Sequence, residues 1–391
     1  MSNSLSRGPS RLLVGLMAAS CGLIVANIYY SQPLVGLIGP QLHMSGRAEG
    51  LIVSLTQLGY AAGMIFLVPL GDLMENRALV VATVSATIPA LILAGLAWTP
   101  GMMLTVSALI GLSSVAVQML IPLTAHLTPE ARRGRVVGTV TGGLLFGILL
   151  SRPVASVITA YASWRLVFFL SAAVMAGLAL LLSRALPRRE PEAKEHYGAL
   201  LASLFALPLR FPVLRERIVY QAACFAGFSL FWTGAPLFLM HRFGFTQRGI
   251  AVFALAGALG ACLAPVAGHL ADRGHTRVAS FWALMAVLAA FGIAALGGWR
   301  HSVVLLALAG IILDGGVQTS LVLGQRSIYV LTPELRSRMN GVFMASFFLG
   351  GAAGSAFTGP LLIHAGWGGV CAAGALMPLL GLSYFAAAGR K

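Results

Sequence analysis

The sequence predicts an all-α membrane protein of twelve transmembrane helices, built as two parallel six-helix bundles with pseudo-two-fold symmetry. Three observations carry this. Hydrophobic residues make up 58% of the 391 residues and charged residues only 9%, where a soluble domain carries roughly a quarter charged residues. The mean hydropathy is +0.88. Apolar runs long enough to cross a ~30 Å hydrocarbon layer as helices follow one another along the chain. Motifs of the first half recur in order in the second, the mark of an internal duplication.

The predicted spans are Leu12–Ile38, Gly50–Leu70, Leu79–Trp98, Met102–Ala125, Val136–Tyr161 and Leu166–Leu186. After a polar interval come Ile218–Met240, Gly249–Leu270, Val278–Leu296, Val303–Leu331, Gly341–Ile363 and Gly368–Ala388. The strict apolar/polar alternation of a porin strand is absent, which excludes a β-barrel. The first run exceeds the roughly 7–15 apolar residues of a signal peptide and reads as an uncleaved first span.

The interval Arg184–Arg217 is the one long polar stretch. Its Pro-Arg-Arg-Glu-Pro core cannot bury enough apolar surface to fold alone. Tyr197–Leu207 is more apolar, and two readings stay open there: a helix lying on the membrane surface, or a solvated tether. The expected domains are an N-terminal six-helix bundle over 1–186, a cytoplasmic linker over 187–217 and a C-terminal six-helix bundle over 218–391.

The net charge of +15 would suit nucleic acid, but the basic residues sit in short loops between spans, so no nucleic-acid partner is expected. Of the 26 Lys and Arg residues, twenty fall on the side of the N-terminus. Five, Arg47, Arg165, Arg242, Arg248 and Arg300, fall on the other, and Arg152 lies within a span. The positive-inside rule then places both termini and the linker in the cytoplasm. The four cysteines lie in apolar spans and read as packing residues. The eight histidines sit at loops or span ends without metal spacing, so no metal or other cofactor is expected.

Leu127-Thr128-Pro129-Glu130 before span five recurs as Leu331-Thr332-Pro333-Glu334 before span eleven. Arg133-Gly134-Arg135 is echoed by Arg336-Ser337-Arg338, and at that spacing Gly147 falls on Gly350 and Pro33 on Pro236. An even number of spans in each unit makes the halves parallel, related by an axis along the membrane normal, with a central site between them.

With this pattern the chain resembles the major facilitator superfamily over nearly its whole length. The loop from Gly268 to Arg277, Gly-His-Leu-Ala-Asp-Arg-Gly-His-Thr-Arg, looks like that family's G-x-L-A-D-R-x-G-R-R loop. The first-half copy, Gly71-Asp72-Leu73-Met74-Glu75-Asn76-Arg77, departs from it: Glu75 takes the acidic place and Asn76 replaces a basic residue. Asn27-Ile28-Tyr29-Tyr30-Ser31-Gln32-Pro33 and Leu313-Asp314-Gly315-Gly316-Val317-Gln318 look like a bacterial efflux-permease branch similar to drug:proton antiporters. The family's antiporter signature on span five is a glycine run ending in Gly-Pro. Here Gly143 and Gly147 are kept at small-xxx-small spacing, and Arg152 stands before Pro153 where the last Gly would be. The glycines also read as close helix packing.

Of eleven acidic residues only Asp314 sits well inside a span. A carboxylate at the bilayer centre costs roughly 2.5–3.5 kcal/mol even on insertion scales. It must face a partner, a cavity, or carry a proton. Asp314 is expected to couple protons or bind a cation, or else to be a structural carboxylate bonded to neighbouring helices. Arg152 is the basic residue deep in a span. It would bind an anionic group, pair with Asp314, or snorkel to the outer interface. In the family, spans one, four, seven and ten line the cavity. Carried over, the substrate and proton pathway would include Asn27, Tyr29, Tyr30, Gln32, Gln118, Gln221, Trp232, Asp314 and Gln318, with Arg152 beside it. Tyr29, Tyr30 and Trp232 also suit an interfacial aromatic belt. Asp72, Glu75, Arg77, Asp272, Arg273 and Arg277 would form a cytoplasmic gate, or simply set topology.

The resemblance implies a small-molecule substrate, protons as the driving ion, a bacterial inner membrane and no enzymatic activity. One chain supplies both halves, which implies a monomer. Export of small amphiphilic compounds is expected. A carrier of a sugar or organic anion, and a non-transporting membrane sensor, are the alternatives. No phosphate-binding loop of the G-x-x-x-x-G-K-[ST] type occurs, so ATP-driven transport is not expected.

Overall fold

A computed structural model describes residues 9–190, 196–261, 275–332 and 335–388. Among the described residues the regular structure is entirely helical. Span two runs Glu49–Phe66 and winds tighter through Val68–Asp72; spans three, five and six are Asn76–Gly95, Glu130–Tyr161 and Trp164–Ala185. Span four is Pro100–Ser113 and Ala116–Leu127. Span seven is Pro212–Phe243, beginning six residues before the predicted Ile218. Span eight is described over Gln247–Ala261; spans nine and ten are Thr276–Trp299 and Val303–Tyr329. Spans eleven and twelve form one run, Arg336–Ala388, turned at Gly366 with φ 61°.

Nine described helices are long and apolar enough to cross a membrane. The difference from twelve is local. The first span breaks into Arg11–Ala26, a 3₁₀ turn Gln32–Leu34 and Val35–Gln41, so neither long piece qualifies. The eighth is described only to Ala261, and the last two merge.

The break in span one has a covalent cause. An α-helical Pro33 would press its ring on the Tyr29 carbonyl and could not donate to it. The chain winds as 3₁₀ instead, Gln32 N–H reaching Tyr29 O at 3.2 Å and Leu34 N–H reaching Ser31 O at 3.0 Å. The short loops end in helix caps: Thr99 accepts from Met102 N–H at 3.2 Å and Ser163 from Arg165 N–H at 3.2 Å. Gly244, with φ 65°, closes span seven in the left-handed conformation.

Small residues bring the spans together. A Cβ on Gly143 would collide with the Ala18 carbonyl of span one, and one on Gly147 with the Gly22 backbone. In the second half Gly350 meets Ala222 of span seven in the same way, and Gly354 meets Ala226. The packing therefore pairs Gly143 with Gly350 and Gly147 with Gly354. The sequence alignment of Gly147 with Gly350 is one helical turn out of register, because glycines spaced by four look alike after a shift of four.

The halves meet along two seams. Spans two and eleven touch through Ser54, whose hydroxyl donates to Ala352 O at 2.9 Å and lies 2.9 Å from Ser355 Oγ. Tyr60 packs on Phe348 at 4.4 Å between ring centres. Spans five and eight form the other seam, with the Arg248 guanidinium 4.6 Å from the Tyr161 ring centre. Between them the Gln32–Leu34 turn packs on both span five and span seven.

The linker forms a helix, Tyr197–Arg210. Its Leu200, Leu204 and Leu207 are buried, and the Tyr197 hydroxyl donates to Phe66 O at 2.7 Å. It packs on the ends of spans two, seven and eleven. A solvated tether therefore does not describe residues 197–210, while Phe205 and Leu209 remain exposed on the other face.

Candidate functional site between the halves

Pro236 lies four residues after Trp232 on span seven, so the Trp232 carbonyl lacks its helical N–H partner. Trp232 itself is buried, and its indole Nε1–H donates to Asp314 Oδ1 on span ten at 2.7 Å. Over the same indole, from span five, stands the Arg152 guanidinium, 4.3 Å from the ring centre. It also lies 5.0 Å from the Phe228 ring centre and 5.8 Å from that of Tyr29. Arg152 is 5% exposed and Asp314 6%, so neither snorkels to an interface. Their charges act on each other across the indole, but no direct ion pair joins them. Arg152 Nε is buried without a hydrogen-bond partner.

The fold makes room for this group by omitting side chains. A Cβ on Gly257 of span eight would stand 2.6 Å from Asp314 Oδ2 and 2.6 Å from Trp232 Cζ2. A Cβ on Gly260 would stand 2.8 Å from Asp314 Cβ. The remaining cavity, lined by Ile148, Arg152, Phe228, Gly257, Asp314 and Gln318 among others, measures about 20 Å³. That is room for about one water molecule.

Five of the expected pathway residues thus converge: Tyr29, Arg152, Trp232, Asp314 and Gln318. The others do not all join them. Asn27 turns to span six, accepting from the Ser171 hydroxyl at 2.5 Å and donating to Met175 Sδ at 3.5 Å. Gln118 donates to the Tyr60 hydroxyl at 3.2 Å, within the first half. Tyr30 is half-buried. Gln32 and Gln221 are fully buried, and each leaves its amide nitrogen and oxygen unpartnered. Polarity and span membership do not single out Phe228. Its signal was present, since it lies four residues before Trp232 and so shares that helix face.

Two side chains of the first-half loop bond within their own half. Arg77 Nη1 donates to Leu186 O at 3.4 Å, at the end of span six, and the Asn76 side chain donates to Gly71 O at 2.7 Å. One Glu75 carboxylate oxygen is buried and unpartnered. Asp72 lines a second cavity of about 20 Å³, shared with Leu200 and Leu204 of the linker helix and Arg338 of span eleven. Arg277 lies 5.1 Å from the Phe385 ring centre. Asp272 and Arg273 lie outside the described residues.

The sequence pattern of the Major Facilitator Superfamily matches residues 14–323. The chain belongs to this superfamily. This major facilitator chain is 40% identical over 376 residues to the uncharacterized transporter YgaY of Escherichia coli O157:H7, covering 95% of this chain and 94% of that one. It is 33% identical over 389 residues to the "Probable transporter SCO4007" of Streptomyces coelicolor, covering 96% and 88%. Among solved structures it is similar in fold to a mutant of the nucleoside transporter NupG, with a TM-score of 0.77 at 15% identity over 96% of this chain and 99% of that one. The chain is thus a membrane-spanning transporter of the major facilitator type, in keeping with the two six-helix bundles. Its nearby relatives are named as transporters, not enzymes.

Proposed function

We propose that this transporter works by alternating access as a proton-coupled exporter of small amphiphilic compounds. It acts as a monomer in a bacterial inner membrane with both termini cytoplasmic. The bundles are residues 1–186 and 218–391, joined by the linker 187–217, whose last six residues, 212–217, already belong to the helix of span seven. The observation that carries this reading is the buried Arg152–Trp232–Asp314 group, which draws on both halves. A carboxylate there is costly unless it carries a proton or meets a cation, and its contacts change whenever the halves move apart.

Buried polar groups along the spans would suit a polar path. Gln32 Nε2 and Oε1, Ser156 Oγ, Thr159 Oγ1 and Thr233 Oγ1 are buried without partners on spans one, five and seven. Buried polar groups are almost always hydrogen-bonded. These would be satisfied by water or substrate once the outer ends of the spans part. Asp72, Glu75 and Arg77 would act with Asp272, Arg273 and Arg277 at the cytoplasmic end.

The test is proton movement driven by substrate in liposomes under an imposed pH gradient, with wild type and Asp314→Asn. The variant is expected to bind substrate yet lose coupled proton flux. Unchanged coupling removes Asp314 from the mechanism. A second reading, a carrier of an organic anion, is favoured by the unpaired Arg152. It would appear as saturable anion flux that Arg152→Lys abolishes through loss of bidentate contact.

A further inference from the structure

The surroundings of the Arg152 guanidinium are those of a bound ligand. Three aromatic rings, Tyr29, Phe228 and Trp232, stand 5.8, 5.0 and 4.3 Å from it. The nearest of these rings is fixed by its hydrogen bond to Asp314. Aromatic faces around a carboxylate, closed off from water, are the chemistry that holds guanidinium and alkylammonium groups. An arginine built to grip a carboxylate presents its fork of donors to the place where that carboxylate sits. Arg152 instead lies over rings, with Nε unbonded. The group filling the cage joins the two halves: Arg152 comes from span five and Tyr29 from span one of the first half, while Phe228 and Trp232 come from span seven and Asp314 from span ten of the second.

Gly257 shows that the cage wall is tightly shaped. Its missing Cβ would press on both Asp314 Oδ2 and Trp232 Cζ2. A cavity of about 20 Å³ leaves no room for an organic cation beside the guanidinium. Entry of such a ligand therefore requires exchange.

We propose that Arg152 is a tethered occupant of a cation cage formed by Tyr29, Phe228, Trp232 and Asp314. The cage's ligand is an organic cation with a guanidinium or alkylammonium head, which competes with Arg152 for it. The inference rests on the reading that this site lies on the substrate path, and names the substrate class and the group it displaces. Displacing Arg152 also cuts a contact between span five and span seven, so ligand entry and the parting of the halves become one event.

The test measures binding without flux. Purified full-length protein in detergent is titrated with tetramethylammonium and with methylguanidinium, against sodium chloride of equal ionic strength and sodium benzoate. Tryptophan fluorescence and thermal shift report occupancy. A side chain on a short tether competes at an effective concentration in the millimolar range. Removing it in Arg152→Gln is expected to tighten cation binding about tenfold or more. Arg152→Lys, which keeps a tethered cation, should stay near wild type, and adding Trp232→Leu to Arg152→Gln should abolish the gain. Arg152→Met empties the cage equally if the amide variant does not fold. Cation affinity that fails to rise in both charge-removing variants overturns the proposal. So does wild-type binding of benzoate that Arg152→Gln destroys, which would make Arg152 an anion ligand. Cation binding as expected, with no gradient-driven flux in liposomes, would instead overturn the transport reading and leave the cage standing.

Discussion

Gly142 and Gly143 are neighbours on span five, and a methyl group added to each meets different surroundings. At Gly142 nothing lies within 4 Å of the new carbon, whereas at Gly143 it runs into the Ala18 carbonyl of span one. Gly142→Ala should therefore gain helix propensity, about 0.5–1 kcal/mol in an open helix interior. Gly143→Ala must push two helix backbones apart, and overpacking of this kind costs about 1–3 kcal/mol. The pair should differ by about 1.5–4 kcal/mol, tenfold or more in the unfolding equilibrium. Gly354→Ala, which meets the Ala226 carbonyl, should behave like Gly143→Ala. Thermal unfolding in detergent, followed by the far-ultraviolet helix signal, measures all three. The displacement also moves Arg152, nine residues further along the same helix, so substrate flux should fall in Gly143→Ala and hold in Gly142→Ala. Equal effects of the same sign at 142 and 143 would refute the close-approach reasoning.

Trp232→Phe keeps a ring under Arg152 but removes the donor to Asp314. A hydrogen bond to a charged group contributes about 1.5–3 kcal/mol, so coupled proton flux in liposomes should fall tenfold or more, and undiminished flux would show the bond to be idle. Leu200→Ala should loosen the linker helix, since truncating a buried leucine costs on the order of 2 kcal/mol or more. Limited trypsin digestion at Arg188 and Arg189 should then quicken, and an unchanged rate would mean that the helix is held by other contacts.

Much of the fold could be read from the chain because its signals are long. Twenty-residue apolar runs and loop charges do not depend on tertiary detail. Arg152 and Asp314 were legible for a related reason: a charged residue in an apolar run demands a partner wherever the run folds. Their mediator was not legible. Trp232 reads in sequence as a cavity wall, with an interfacial residue as the alternative, and only placement shows its N–H spent on Asp314 while its face meets Arg152. Span membership points Asn27 and Gln118 toward the pathway, but a side chain's direction also depends on local winding. The α-helix of span one ends at Ala26, and Asn27 N–H bonds Ile24 O, so the winding changes at Asn27 itself. The sequence shows that Tyr197–Leu207 is more apolar than its surroundings, but not that Leu200, Leu204 and Leu207 find protein.

The serine contact between spans two and eleven has a consequence for how easily that boundary gives way. Ser54 Oγ also lies 3.2 Å from Gly50 O, one turn back on its own helix, and Ser355 Oγ lies 2.9 Å from Gly351 O. Each hydroxyl thus carries a fallback acceptor with it. When the spans slide or separate, both protons can retire to these carbonyls without passing through an unbonded state. Under the proposed alternating access the boundary would behave as a reusable fastener, with polar specificity and little penalty for release.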